Sequence, residues 1–259
     1  MKTPQAEFDK FKAMIEEEVP FCFCRYSDGE LFIMQNKEVK LAPDHFITGK
    51  TGGYCTYAPE DQKHFDPVAN PGLREDLIET FKYKADNYFK GICTRSDVSE
   101  EDFQFQIDLH QGEDDSLTFS NLFINANYPR YINEIIPLFK DRNIVIVTNE
   151  LSDISGLPFK VKKDFRVGTN CIVNDVDLPQ KVAQYMKDKK GWILLSSAAS
   201  LSESILYETF KLNNKNTCLD IGSSLNPYMK LEGWKYSRGY LQMYWLGMNN
   251  RYGRQVDTW

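Results

Sequence analysis

Short, uniformly apolar runs alternate along this chain with stretches of helical period, and that alternation predicts most of its elements. Phe21-Cys-Phe-Cys-Arg25, Gly91-Ile-Cys-Thr94, Asn143-Ile-Val-Ile-Val-Thr148, Trp192-Ile-Leu-Leu-Ser196 and Thr217-Cys-Leu-Asp-Ile221 read as strands apolar on both faces. Between them the apolar positions return at three and four. Thr3-Pro4 opens a helix with Phe8, Phe11, Met14 and Ile15 on one stripe, and Pro71-Gly72 opens another, to about 90, with Leu73, Leu77, Ile78 and Phe81. Further helices are predicted after Gly29, over 99–110, 128–140 and 200–212. Residues 117–124 suit a strand or a helix, and 41–72 read as a long irregular loop or small insertion.

Buried strands separated by helices predict an α/β fold, a mostly parallel, Rossmann-like sheet flanked by helices on both faces. Right-handed crossovers place the carboxyl ends of such strands along one edge, where open α/β sheets bind ligands. Four polar clusters follow four strands: Arg25-Tyr-Ser-Asp-Gly-Glu30, Thr148-Asn-Glu150, Ser196-Ser197, and Asp220-Ile-Gly-Ser223-Ser224. The first sets a cation and two hard carboxylates within six residues, the donor chemistry that suits a diphosphate with Mg²⁺ or Mn²⁺. The same Asp28 and Glu30 also suit a plain helix start, as cap and first-turn acid. In the third cluster the amides at the helix start, with the hydroxyls of Ser196 and Ser197, can cradle a phosphate; the competing reading makes Ser200 or Ser202 an N-cap. In the fourth, Asp220 or Ser223 contacts sugar or ribose hydroxyls, or Gly222 takes a positive φ in a turn that Asp220 caps.

Composition narrows the class. The 259 residues suffice for a sizeable core, and the whole chain, 1–259, reads as one domain with an N-terminal helix over 1–19 and an aromatic extension over 229–259. A net charge of −6 without a basic patch argues against nucleic acid. No apolar run approaches the ~18 residues of a membrane span, and the N-terminus lacks a signal-peptide core. The six scattered cysteines read as reduced thiols in a cytoplasmic setting, without the paired spacing of a zinc site; Cys22 and Cys24 alternate onto one strand face. His45, His64 and His110 have no nucleophile motif beside them and are assigned surface or loop roles. In the tail, Tyr236, Tyr240, Tyr244, Trp245, Tyr252 and Trp259 accompany Arg238, Arg251 and Arg254. That combination suits sugar stacking, a homo-oligomer interface, or packing of the rings on the domain.

The Arg25-Tyr-Ser-Asp28-Gly-Glu30 element, the strand Ile144-Val-Ile-Val-Thr-Asn149 and the late strand–turn–helix leading to Asp220-Ile-Gly-Ser223 together resemble the GT-D-fold glycosyltransferases, in islands spread over residues 20–228. The resemblance implies a metal-dependent transfer of a hexose from a nucleoside-diphosphate sugar, a UDP-linked one, to a glycan acceptor on lipid, protein or polysaccharide. It implies Asp28 and Glu30 as ligands of Mn²⁺ or Mg²⁺, with Arg25 near the phosphates, these three forming the catalytic set. The donor-binding set is then Arg25, Ser27, Asp28, Asn149, Ser196, Ser197, Asp220 and Ser223. Ser27 stands where that family more often has Gly, and Ser196-Ser197-Ala198 where a Gly-containing turn is common. The acceptor base is unassigned, with Glu150 and Asp220 as the acids at strand ends.

Three rival readings come from other motifs. Gly49-Lys-Thr51 lacks the earlier glycine of a phosphate-binding loop, since Asp44 stands there. Leu219-Asp-Ile-Gly-Ser-Ser resembles the first motif of a SAM-dependent methyltransferase, but it lies near the end of the chain and continues into Leu225-Asn-Pro227. A non-catalytic nucleotide-binding module is the third alternative.

Overall fold

The computed structural model describes residues 2–41, 59–249 and 259. Its strands are β1 (Cys22–Tyr26), β2 (Val39–Leu41), β3 (Lys63–Phe65), β4 (Tyr88–Ile92), β5 (Leu117–Phe119), β6 (Ile144–Asn149), β7 (Val161–Val167), β8 (Ile193–Ser196) and β9 (Thr217–Asp220). Seven of them form one sheet in the order β5-β4-β1-β9-β8-β6-β7, parallel at every pairing, while β2 and β3 make a separate antiparallel pair. The chain runs outward from β1 through β4 to β5, crosses to β6 and β7, and returns through β8 to β9. The two halves therefore meet at β1 and β9, the position where an open α/β sheet leaves a crevice at its carboxyl edge.

The alternation of side chains along each strand divides the core. Cys22, Cys24 and Tyr26 face one layer, with Val145, Val147, Leu194 and Cys218. That layer holds α2 (Asp28–Met34), α3 (Pro71–Lys82), α4 (Glu100–His110), the short α6 (Cys171–Asn174), α7 (Leu178–Met186) and α8 (Ser202–Leu212). Phe21 and Phe23 face the other layer, where α1 (Pro4–Glu16) inserts Phe11 among Phe21, Phe23 and Phe89, its ring centroid 4.9 Å from that of Phe89. The second layer also holds a helical run over 125–139 that includes α5 (Tyr128–Arg130), and the terminal helices α9 (Trp234–Ser237) and α10 (Gly239–Leu246).

Several elements depart from expectation for local reasons. The strand expected at 91–94 lies at Tyr88–Ile92, because a fully buried lysine, Lys90, interrupts its apolar run. Gly91 lets β5 approach: a Cβ there would stand 2.8 Å from Ser120 Cα. The helix from 71 stops at Lys82, since Tyr83 is extended. Residues 117–124 divide into β5 and a turn. The run expected as one helix over 128–140 passes from α-helical to π over Tyr131–Ile135 and to 3₁₀ over Ile136–Phe139. Pro137 is the reason: it has no N–H for the α-helical ladder. β7 escaped the pattern altogether, because Lys162, Lys163, Asp164 and Arg166 mask it; charges of this kind belong on a sheet edge. Gly49-Lys-Thr51, His45 and Cys55 lie outside the described residues.

His110 corrects a sequence expectation. It is buried at the end of α4, where Nδ1 accepts from Lys90 Nζ at 3.2 Å and Nε2 donates to Asp114 at 3.0 Å. His64 is on β3 and pairs with Glu38 at 2.9 Å. The five described cysteines are free and buried, with Cys22 and Cys24 Sγ 3.7 Å apart on one face of β1.

Candidate active site at the carboxyl edge of the sheet

The first cluster is built by the passage from β1 into α2. Ser27 is the extended N-cap residue, and its amide donates to Glu30 Oε2 at 3.0 Å, the return half of a capping box. The other oxygen, Glu30 Oε1, accepts the hydroxyl of Ser200, in the turn ahead of α8. Glu30 is buried, and it ties the start of α2 to the start of α8. Asp28 is different. It stands half-exposed in the first turn of α2, with Oδ1 accepting the Gly29 amide at 3.0 Å.

Arg25 links three strand ends. Its Nε donates to the Ser120 carbonyl at 2.6 Å, just past β5, and Nη2 reaches Ser27 Oγ at 3.3 Å. Nη1 stands 3.8 Å from Asp220 Oδ1, at the end of β9. The loop after β9 is shaped to admit this guanidinium. Gly222 has φ +48°, a Cβ there would fall 2.1 Å from Arg25 Nη1, and its amide donates to Asp220 Oδ1 at 2.8 Å. Ser223 Oγ lies 2.9 Å from the Tyr240 hydroxyl and accepts from Arg238 Nε at 3.2 Å; Arg238 in turn pairs with Asp61 at 2.9 Å.

The structure thus brings Arg25, Ser27, Asp28, Glu30 and Asp220 together at β1 and β9, with Ser223 at the rim. Ser196 sits one strand beyond β9, fully buried, its hydroxyl donating to Ser202 Oγ at 2.9 Å. Ser202 Oγ also accepts the Ala198 amide at 3.0 Å, so hydroxyls of this turn cap it from within. Ser197 is half-buried, its amide held by the Val147 carbonyl at 2.9 Å. Asn149 ends β6, three strands from β1, roughly 14 Å at the usual strand spacing. Its Oδ1 accepts the Leu151 amide at 2.9 Å, and its carbonyl accepts from Arg166 at 3.2 Å. Glu150 is exposed beside it.

Sequence reasoning passed over Ser120 and Glu203, and it read Ser200 only as a helix cap and Tyr240 only as part of the aromatic tail. Glu203 is fully buried, and neither carboxyl oxygen has a hydrogen-bond partner among the described residues. Burial, then the neighbouring Glu30 and Asp220, push its pKa well above the ordinary carboxylate value. Burial likewise raises Asp220, to about 6, against the pull of Arg25 and the Gly222 amide. Glu203, Glu30 and Asp220 therefore crowd one another, and of the three it is Asp220 that stands beside the Arg25 guanidinium. A signal for Glu203 existed: with Leu206 and Phe210 it falls on the inward stripe of α8.

Among the described residues no group of three His, Cys, Asp or Glu side chains is arranged to hold a metal ion. The donor chemistry at the start of α2 fits a hard cation through Asp28, since Mg²⁺ and Mn²⁺ often take only one or two protein carboxylates. Glu30 would have to release Ser200 or its own helix cap to join.

The aromatic tail packs for the most part. Tyr240 is buried, Trp245 Nε1 donates to the Tyr128 hydroxyl at 3.0 Å, and Tyr244 and Tyr228 meet Trp245 edge to face. Trp259 lies against Phe103 and Phe119, and Tyr236 is exposed. Tyr252, Arg251 and Arg254 are outside the described residues.

No family model matches this sequence, and no curated protein matches it. Solved structures do. One described as the selenomethionine-substituted structure of domain of unknown function 1792 (DUF1792) superposes with a TM-score of 0.55 at 14% identity, over 94% of this chain and 82% of that one. Another, described as a new glycosyltransferase (DUF1792) from Streptococcus sanguinis, gives 0.52 at 14% identity, over 83% and 79%. A third, whose description assigns the domain a distinct glycosyltransferase fold, gives 0.53 at 12% identity, over 94% and 82%. The chain therefore has the α/β fold of the DUF1792 structures, the glycosyltransferase fold that its own motifs resembled.

Proposed function

We propose that this chain is a glycosyltransferase that moves a hexose from a nucleoside-diphosphate sugar to a glycan acceptor, with the donor diphosphate seated at the carboxyl edge between β1 and β9. The observation that carries this reading is the convergence of Arg25, Asp28 and Asp220 at that edge, in a fold shared with structures described as glycosyltransferases. The uridine nucleotide and the hexose rest on the resemblance of the motifs alone, as does the choice of Mn²⁺ or Mg²⁺.

The chain's own groups divide the work. Arg25 presents its guanidinium from a fixed position, held by Ser120 and Asp220, so it meets negative charge on the leaving diphosphate without reorganising. Bound through Asp28, a divalent cation supplies further neutralisation of that charge. Glu30 keeps α2 and the Ser200 turn in register, and Asp220, largely ionised at neutral pH, accepts donor hydroxyls while holding Arg25. Glu150 and Asp220 remain the acids available as acceptor base. The acceptor glycan is borne on lipid, protein or polysaccharide; among the described residues no helix is long and apolar enough to cross a membrane.

The methyltransferase alternative loses its main support in this geometry. Gly222 admits Arg25 by close approach, which accounts for the glycine without a cofactor. The test is a donor screen that reads released nucleoside diphosphate with and without Mn²⁺. Turnover of a UDP-hexose that falls in Asp28→Ala supports the reading. Binding of nucleotide sugar without turnover would make the chain a binding module, and absence of both would overturn the proposal.

A further inference from the structure

A cavity of about 120 Å³ opens in the helical layer between α3, α7 and α8, and nothing in the reaction outlined above uses it. It shares a wall with the proposed site: Ser200 lines it and also bonds Glu30. Its floor is apolar, from Leu73, Leu77 and Leu201, and Val176 stands exposed at its edge. Its charged lining residues, Asp76, Glu79 and Glu208, are all acidic; Glu79 accepts the Tyr207 hydroxyl at 2.6 Å and has Lys211 3.7 Å away, so one cation stands behind that part of the wall. The acids crowd one another: partial burial, then Glu79 and Glu75, raise the pKa of Asp76. An anionic donor diphosphate is repelled by such a wall, whereas a sugar ring meets apolar surface on its C–H face and carboxylate acceptors for its hydroxyls.

From this charge pattern and its place beside Glu30, we infer that the cleft between α3, α7 and α8 is the acceptor subsite, selecting an uncharged or amino-bearing glycan and rejecting phosphorylated or acidic ones. The inference rests on the glycosyltransferase reading and adds the acceptor's class and seat to it. Ligand-observed NMR with glucose, glucosamine and glucose 6-phosphate tests it on the full chain. Glucose and glucosamine bind the wild type, and glucose 6-phosphate does not. Val176→Trp, a surface change that closes the mouth without touching the core, weakens both sugars roughly tenfold, the effect of losing about 1.4 kcal/mol of contact. The double variant Asp76→Lys/Glu79→Lys gains binding of glucose 6-phosphate. Sugars that bind Val176→Trp as well as the wild type, glucose 6-phosphate that binds the wild type as well as glucose does, or no sugar binding at all would overturn the assignment. A parallel titration with UDP and Mn²⁺ keeps the two readings apart. UDP that binds all three proteins while the sugars fail leaves the transferase standing and removes the cleft, whereas UDP that binds none of them removes the transferase reading.

Discussion

Replacing Lys90 by Met should change the stability of this protein by an amount whose sign depends on pH. Lys90 is in the middle of β4, fully buried, with its ammonium 5.9 Å from the Phe81 ring centroid and 5.8 Å from that of Tyr88. Its close polar neighbour among the described residues is His110 Nδ1, and around that pair stand Asp114, Lys84 and Cys24. Burial lowers its pKa from 10.5 to about 8, Asp114 opposing and Lys84 assisting. Below pH 8 folded and unfolded chains both carry the proton, and the folded state bears the full penalty of roughly 3 kcal/mol, at about 1.4 kcal/mol per unit. Between pH 8 and 10.5 the unfolded chain keeps a proton that the folded chain has released, so this group's contribution to stability rises with pH. Lys90→Met removes the penalty but leaves His110 Nδ1 without its donor, a loss of about 1–2 kcal/mol. The variant should therefore be about 1–2 kcal/mol more stable than wild type at pH 7, and about 1 kcal/mol less stable near pH 10. Urea unfolding of both proteins at pH 7, 8.5 and 10 measures the difference, in which the tyrosines and cysteines that titrate over the same range cancel. A difference that stays constant across those pH values would refute the reasoning, because it would mean that Lys90 does not change protonation inside the fold.

Asp28→Ala should abolish transfer and metal-dependent donor binding while circular dichroism shows the fold intact; full activity of this variant in chelator would remove the metal role. Glu30→Ala should lose activity and about 1–3 kcal/mol of stability together, because it uncaps α2 and strands the buried Ser200 hydroxyl; a thermal melt separates it from Asp28→Ala. Gly222→Ala forces a side chain into positive φ and against Arg25, so denaturant unfolding should show a loss of about 1–3 kcal/mol, with weaker donor binding by calorimetry. Glu203→Gln should stabilise the protein at pH 7: the raised folded pKa means that the unfolded chain releases a proton above about pH 4.5 while the folded chain keeps it. The gain should vanish as the pH falls through that value, and an equal gain at pH 3.5 would show that Glu203 is not held protonated.

The parallel sheet was legible because its central strands are apolar on both faces, and only burial on both sides explains runs such as Ile144-Val-Ile-Val147. The edges were not. β7 carries its charges toward solvent and reads as loop, and Lys90 hid β4 because its amine is satisfied by a histidine twenty residues away in sequence. At the site, the Arg25-to-Glu30 element announced itself through residue type and position at a strand end. The division of labour inside it did not. Whether a carboxylate faces solvent or turns back to cap its own helix depends on Ser200, which is 170 positions distant in the chain. Ser196 and Ser197 show the converse: hydroxyls at a strand end suggest a phosphate cradle, but the Ser196 hydroxyl is spent on Ser202.

The two flanks of the sheet bear on how copies of this chain can meet. β7 lines one flank with lysine, arginine and aspartate, and β5, at the other, is only three residues long. A long, bare, neutral flank would invite another molecule to extend the ladder into a shared, growing ribbon, and neither of these offers one. Self-association, where it occurs, is thus steered to side-chain surfaces carrying exposed apolar groups such as Tyr236, Trp245 and Met248, and such a contact stops at a pair when it is two-fold and self-complementary.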